Sequence, residues 1–147
     1  MHLEGTHLFP ADRQALWNLL NDPQVLARIT PGVKTLNPVE ADRYEAIFHI
    51  KLGPINATFS GELEVADKAP PERYRLLVKV NSKIGAVAAD GAISLEPRDG
   101  TTLLEFKGDA QLSGMLAGKG QRVLSGVAQM FTKKFFKSLE EEVSKRL

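Results

Sequence analysis

From Val33 to Ser113 apolar and polar residues alternate with period two, the pattern of strands that bury one face. In "YEAIFHIKL" Tyr44, Ala46, Phe48, Ile50 and Leu52 share a face, with Glu45, His49 and Lys51 opposite. After the Gly53-Pro54 turn, "INATFSGELEV" aligns Ile55, Ala57, Phe59, Gly61, Leu63 and Val65. Beyond the Pro70-Pro71 break, "YRLLVKVNSKI" groups Tyr74, Leu76, Val78, Val80, Ser82 and Ile84, and "VAADGAISL" groups Val87, Ala89, Gly91, Ile93 and Leu95. "TTLLEFKGDAQL", after the "PRDG" turn, adds Leu104, Phe106, Gly108, Ala110 and Leu112. With "MHLEGTHLF" as a short first strand, the chain predicts six or seven strands in one antiparallel sheet with one apolar face.

Between the first strand and the rest, "PADRQALWNLLNDPQVLARITPG" reads as two short helices closed by Pro31-Gly32. Asp22 is placed to cap the second, with Pro23 at its first position. The apolar sheet face needs a cover, and only the C-terminal segment is long enough to supply it. From Gly114 on it reads as one long helix. Its ridge of Val123, Val127, Phe131, Phe135, Leu139, Val143 and Leu147 has strict i+4 spacing. Four residues advance about 400°, so the row drifts by about 40° per step and winds around the helix. A twisted sheet curling about that helix matches the drift. The expected fold is therefore α+β, a single domain over residues 1–147, with a curved antiparallel sheet gripping a long C-terminal helix.

"GMLAGKGQRVLSGVAQMF" carries Gly114, Gly118, Gly120 and Gly126, and each glycine inside a helix costs about 1 kcal/mol relative to alanine. Stepping about 100° per residue from Gly114 puts Leu116, Gly120, Val123, Leu124, Val127 and Phe131 in one arc. Facing that arc, the sheet offers the small residues Ala46, Ala57, Gly61, Gly108 and Ala110. Two readings follow. Small residues let helix and sheet approach closely, or they leave a cavity at this end while Phe131, Phe135 and Leu139 fill the other. The cavity reading gives a lining of Phe48, Ile50, Phe59, Gly61, Leu76, Val78, Val80, Ser82, Ile93, Phe106, Gly108, Ala110, Leu116, Gly120, Val123, Leu124 and Val127. Such a lining is nearly all apolar, as ligand pockets usually are. On this reading Gly120→Leu reduces uptake of a lipophilic ligand without unfolding the chain.

Chemistry narrows the picture by what it lacks. No Asp, Glu, His or Lys falls on the inward face from Tyr44 onward, so an enzyme would have to use Tyr44, Tyr74 or His7. Ser82 without an inward histidine suits a hydrogen-bond donor better than a nucleophile. His2, His7 and His49 do not share a face, and no metal site is expected. Lys plus Arg (19) nearly balances Asp plus Glu (18), which gives no field for nucleic acid. There is no cysteine, no signal-like N-terminus and no apolar run of about 18 residues, a pattern that fits the cytoplasm. Lys119, Arg122, Lys133 and Lys137 fall within about 60° on the helix face away from the ridge. They form either a solvated face or a contact for anionic lipid or an acidic partner.

"NDPQVLARITPG", "HIKLGPINATFSGELEVAD", "PPERYRL" and "GKGQRVLSG" leading to "FF" together resemble the carbon monoxide dehydrogenase CoxG family. The resemblance covers nearly the whole chain and rests on the spacing of Asn21-Asp22-Pro23, Pro31-Gly32, Gly53-Pro54, Gly61, Gly120 and Gly126. It implies the helix-grip, START-like (SRPBCC) fold: seven strands around a long C-terminal helix, with two small helices closing one end of a cavity. It also implies a non-catalytic accessory to a molybdenum hydroxylase of the CO dehydrogenase type, aiding its membrane association. Some members bind a menaquinone-type quinone, so an isoprenoid quinone or lipid is the implied ligand, with no cofactor. Longer members carry an apolar C-terminal tail; this chain stops at Leu147, so contact at the inner face of the cell membrane is expected to be peripheral. The rival functions are a cyclase or dehydratase on the same scaffold and a docking module with a filled interior.

Overall fold

Two aspartates start the short helices that follow the first strand, β1 (His2–Phe9). The Asp12 carboxylate accepts from Ala15 N at 2.8 Å and opens α1 (Arg13–Leu20). Asp22 accepts from Gln24 N at 2.9 Å, and Pro23 begins α2 (Pro23–Ile29). The computed structural model describes residues 1–146. Six further strands follow: β2 (Val33–Glu40), β3 (Arg43–Leu52), β4 (Ile55–Ala69), β5 (Arg73–Ser82), β6 (Gly85–Arg98) and β7 (Thr101–Leu112). A 3-10 helix (Gly114–Lys119) leads into α3 (Gln121–Ser144).

All seven strands form one antiparallel sheet in the order β1-β7-β6-β5-β4-β3-β2, and the period-two faces are the ones that turn inward. Ala46 stands opposite Gly61, Gly61 opposite Val80, and Gly91 opposite Gly108. A Cβ on Gly61 would lie 2.0 Å from the Lys79 carbonyl oxygen and 2.8 Å from Val80 Cα. Glycine there permits a backbone approach that no side chain allows, which lets the strands draw together as the sheet curls.

The core is solid at one end. Phe9, Leu16, Leu20, Val25, Ile29, Leu139 and Val143 are almost wholly excluded from solvent, packing α1, α2 and the last turns of α3 together. His7 and Phe9 on β1 and Phe106 on β7 surround Phe136, with the Phe9 and Phe106 rings edge-on to it at 6.0 and 5.8 Å. A smaller cluster of Ala46, Phe48, Ile55, Phe59, Val80 and Leu116 lies at the opposite end.

The C-terminal segment departs from the expected single helix. Gly114 (φ 69°) and Gly120 (φ 90°) bracket the 3-10 helix with left-handed backbone that favours glycine, and the α-helix begins only at Gln121. The break resets the phase, so the buried stripe starts at Leu124, while Val123 is 39% exposed. It continues through Leu139 and Val143; Leu147, the last position of the predicted ridge, lies outside the described residues.

One charged side chain is buried in this otherwise apolar assembly. Glu142 on α3 accepts from Arg28 Nε on α2 at 2.9 Å, from the same guanidinium at 3.2 Å, and from Arg146 at 3.0 Å. These hydrogen bonds hold its carboxyl at about 2, below the usual 4.5, so the charged form is the one the fold selects. Glu142→Gln is expected to lower unfolding free energy at neutral pH by about 1–3 kcal/mol. Because the folded pKa is depressed, the stabilisation is complete above about 4.5 and lost as pH falls toward about 2. Urea unfolding at pH 7 and pH 3 should show the gap between wild type and variant narrowing in acid.

Candidate functional site

Between the solid end and the smaller cluster the sheet and α3 enclose a cavity of about 340 Å³. Its floor comes from the inward faces of β3 to β7, its roof from Leu124, Val127, Ala128, Phe131 and Phe135 on α3. Leu20 and Leu26 of the short helices, with Thr30, Val33 and Leu36, close one side; Met1, Leu3 and Leu116 close another. Inward-facing Leu76, Val78, Val87 and Ile93 are only half-buried, because the space they face is open rather than filled.

The structure brings eleven of the sequence-selected positions to this space: Phe48, Ile50, Phe59, Leu76, Val78, Val80, Ile93, Ala110, Leu116, Leu124 and Val127. Six others lie elsewhere, each for a definite reason. Gly61 and Gly108 serve close strand approach, a Cβ on Gly108 standing 3.0 Å from the Asp90 carbonyl oxygen. The Phe106 ring covers Gly5, its pairing partner on β1, and packs toward Phe136. The Ser82 hydroxyl donates to Gly85 O at 2.8 Å and accepts from Ile84 N at 3.2 Å, so it belongs to the β5–β6 turn. Gly120 and Val123 face solvent at the helix break. Gly120→Leu would therefore strain a left-handed residue and leave the cavity unfilled.

The glycine question resolves the same way. A Cβ at Gly118, Gly120 or Gly126 would meet nothing within 4 Å, so these glycines do not seat the helix against the sheet. Phe131, expected to fill the solid end, lines the cavity; Phe135 lines it too while packing, with Phe136, against the solid core.

No Asp, Glu, His, Lys or Arg is among the described residues that line the cavity. The polar side chains that reach it are Thr30 and Tyr74. Tyr74 is 4% exposed and meets Trp17 edge-on at 5.4 Å. Burial alone pushes its phenol far above the usual range, so it stays a neutral donor. Tyr44 is buried in the solid end. His7 does not line the cavity; its ring stacks on Phe136 at 5.1 Å, tilts against Phe9, and hydrogen-bonds Glu140. His2 bonds Glu4 and Asp109, and His49 bonds Thr58.

Of the four basic residues, Arg122, Lys133 and Lys137 share one face of α3, and Lys119 does not belong to that helix. Lys119 ends the 3-10 helix, before the break, while Arg122 and Lys133 are exposed on α3. Lys137 joins Lys134, which sequence reasoning passed over, beside the loop after α2. The lining contributions of Leu26, Thr30, Val33 and Leu36 were also missed, since they depend on how α2 folds back over the sheet. Among the described residues, no helix is long and apolar enough to cross a membrane.

A curved seven-stranded sheet around a terminal helix, enclosing an apolar hollow, defines the START-like helix-grip class. The model of the carbon monoxide dehydrogenase CoxG family matches residues 5–144, and the chain belongs to that family. A conserved protein of Geobacillus kaustophilus, solved by crystallography, is 32% identical, with a TM-score of 0.95 over 99% of this chain and 96% of that one. A START superfamily protein of Mycobacterium smegmatis (14% identity, TM-score 0.74, 99% of both chains) shares the fold. So does the Zhui aromatase/cyclase of Streptomyces, at 15% identity and TM-score 0.71 over 99% of this chain and 94% of that one. No curated protein is similar enough in sequence to count as a match. Family and fold together support a ligand-binding or accessory role in general terms.

Ala128 offers a direct probe of the hollow, since leucine there keeps helix propensity while its side chain enters the cavity. Ala128→Leu is expected to retain the wild-type circular dichroism and weaken binding of the neutral fluorophore N-phenylnaphthylamine about tenfold, or 1.4 kcal/mol. Fluorescence titration measures it, and unchanged affinity would place the fluorophore elsewhere.

Proposed function

We propose that this protein is a non-catalytic carrier that holds an apolar or amphipathic molecule, of the isoprenoid-quinone or lipid class, between sheet and α3. The observation that carries the reading is an apolar hollow between sheet and helix with no ionisable side chain in its described lining. Binding would come chiefly from apolar area removed from water, at about 25 cal/mol per Å². The volume of about 340 Å³ lies near the lower end of the range for ligand pockets. It suits a ring system or short chain, with the remainder of a longer tail outside. The orienting donor is Tyr74, in place of the Ser82 hydroxyl that the sequence suggested.

Membership of the CoxG family supports an accessory role beside a molybdenum hydroxylase of the CO dehydrogenase type, with peripheral contact at the inner face of the cell membrane. The protein itself would need no cofactor. A cyclase-type enzyme would require an acid or base at the substrate. The candidates fare poorly, since His7 is engaged by Glu140 and flanked by Phe9 and Phe136.

Two measurements test the proposal. Native mass spectrometry and organic extraction of protein purified from its own host should recover a quinone or lipid. An empty protein that instead retains a bound polypeptide would favour a docking module. Tyr74→Phe should weaken a carbonyl-bearing quinone about fivefold, the worth of one neutral hydrogen bond of about 1 kcal/mol, and leave N-phenylnaphthylamine binding unchanged.

A further inference from the structure

A polar cleft of about 510 Å³ adjoins the apolar cavity, and Thr30 and Val33 form walls of both. On one side it is bounded by Arg28 at the end of α2 and the Pro31-Gly32 loop, on the other by Lys134, Lys137, Ser138 and Glu141 of α3. The loop is held in place by a 2.7 Å hydrogen bond from His49 N to Gly32 O. Three cations against one carboxylate give this cleft a positive balance, whereas the cavity beside it carries no ionisable side chain in its described lining. Arg28 is committed to Glu142, as are Lys145 and Arg146. Lys134 and Lys137 form no ion pair among the described residues.

Helix geometry joins the two spaces. Phe131 lines the cavity, and residues three, four and seven apart share a face, so Lys134 and Ser138 continue the same side of α3 into the cleft, with Lys137, three residues beyond Lys134, further round on its wall. Within two turns the helix passes from an aromatic to a cationic surface, and Thr30 supplies a hydroxyl at the boundary. We propose that cavity and cleft form one amphipathic site for a single-chain lipid with an anionic head. The chain occupies the cavity, and the carboxylate or phosphate monoester lies between Lys134 and Lys137. The proposal rests on the carrier reading above and narrows its ligand.

The cleft is open to solvent, so its attraction is screened and falls with ionic strength. With N-phenylnaphthylamine in the cavity at low salt and pH 8, dodecanoate and dodecyl phosphate should displace it at about tenfold lower concentration than methyl dodecanoate. Lys134→Gln/Lys137→Gln should abolish that preference. Methyl dodecanoate affinity should stay unchanged, which also reports an intact cavity, since glutamine keeps helix propensity at exposed positions. Inorganic phosphate alone should displace nothing; displacement by it would mean that head and chain are not read together, and overturns the proposal. Equal potency of ester and anions, or a preference that survives the double substitution, overturns it while leaving the carrier reading intact. Failure of every lipophile to bind overturns both.

Discussion

The interior is bounded by a sheet that curls around one helix, and that helix fills the enclosed space only over its C-terminal half. Leu139 and Val143 are sealed in a core built with α1 and α2, and Phe136 reaches β1 and β7. Earlier along the helix Leu124, Val127 and Ala128 line the cavity, and Leu76, Val78, Val87 and Ile93 line it from the sheet, only half-buried.

How much of this was legible in the sequence depended on whether a local period or a distant partner decided the position. Strand faces were readable because a one-residue slip would expose every apolar side chain, which leaves a single acceptable register for Phe48, Phe59, Val78, Val80 and Ala110. Helix phase was readable only in part: Leu124, Val127, Leu139 and Val143 turn inward as expected, while Gly120 and Val123 do not. A left-handed glycine at residue 120 interrupts the 100° step without disturbing the apolar composition, so Val123 turned outward and Leu124 took its place. Phe106 was misplaced because its neighbour Gly5 lies on a strand about a hundred residues away in the chain, and only β1–β7 pairing brings them together. Ser82 was misplaced because a β-turn requires its hydroxyl more than the cavity does. Thr30 carried a usable signal, as the residue after α2 and before Pro31-Gly32, where a short helix closing a cavity must present its end.

Electrostatics divides the molecule as sharply as packing does. Among the described residues, the side chains that line the hollow are apolar except for the neutral Tyr74 phenol and the Thr30 hydroxyl, and the charged side chains lie outside it. A neutral donor in an apolar wall can orient a carbonyl without the desolvation penalty that a lysine or carboxylate would impose there.

The rim of the site depends on the one carboxylate buried in the fold. Arg28 faces the polar cleft yet gives its guanidinium to Glu142, and two residues along the chain Thr30 borders the cleft and cavity together. The pair therefore ties α2 to α3 beside the cleft. Val25 and Ile29 hold the same helix from its inner face, where apolar contact is tolerant of small shifts in a way that a two-pronged ion pair is not. An unpaired Arg28 would have been free to join Lys134 and Lys137 as a third counter-charge. Tied to Glu142, it serves position instead of affinity, and leaves the two lysines as the uncommitted cations at the mouth.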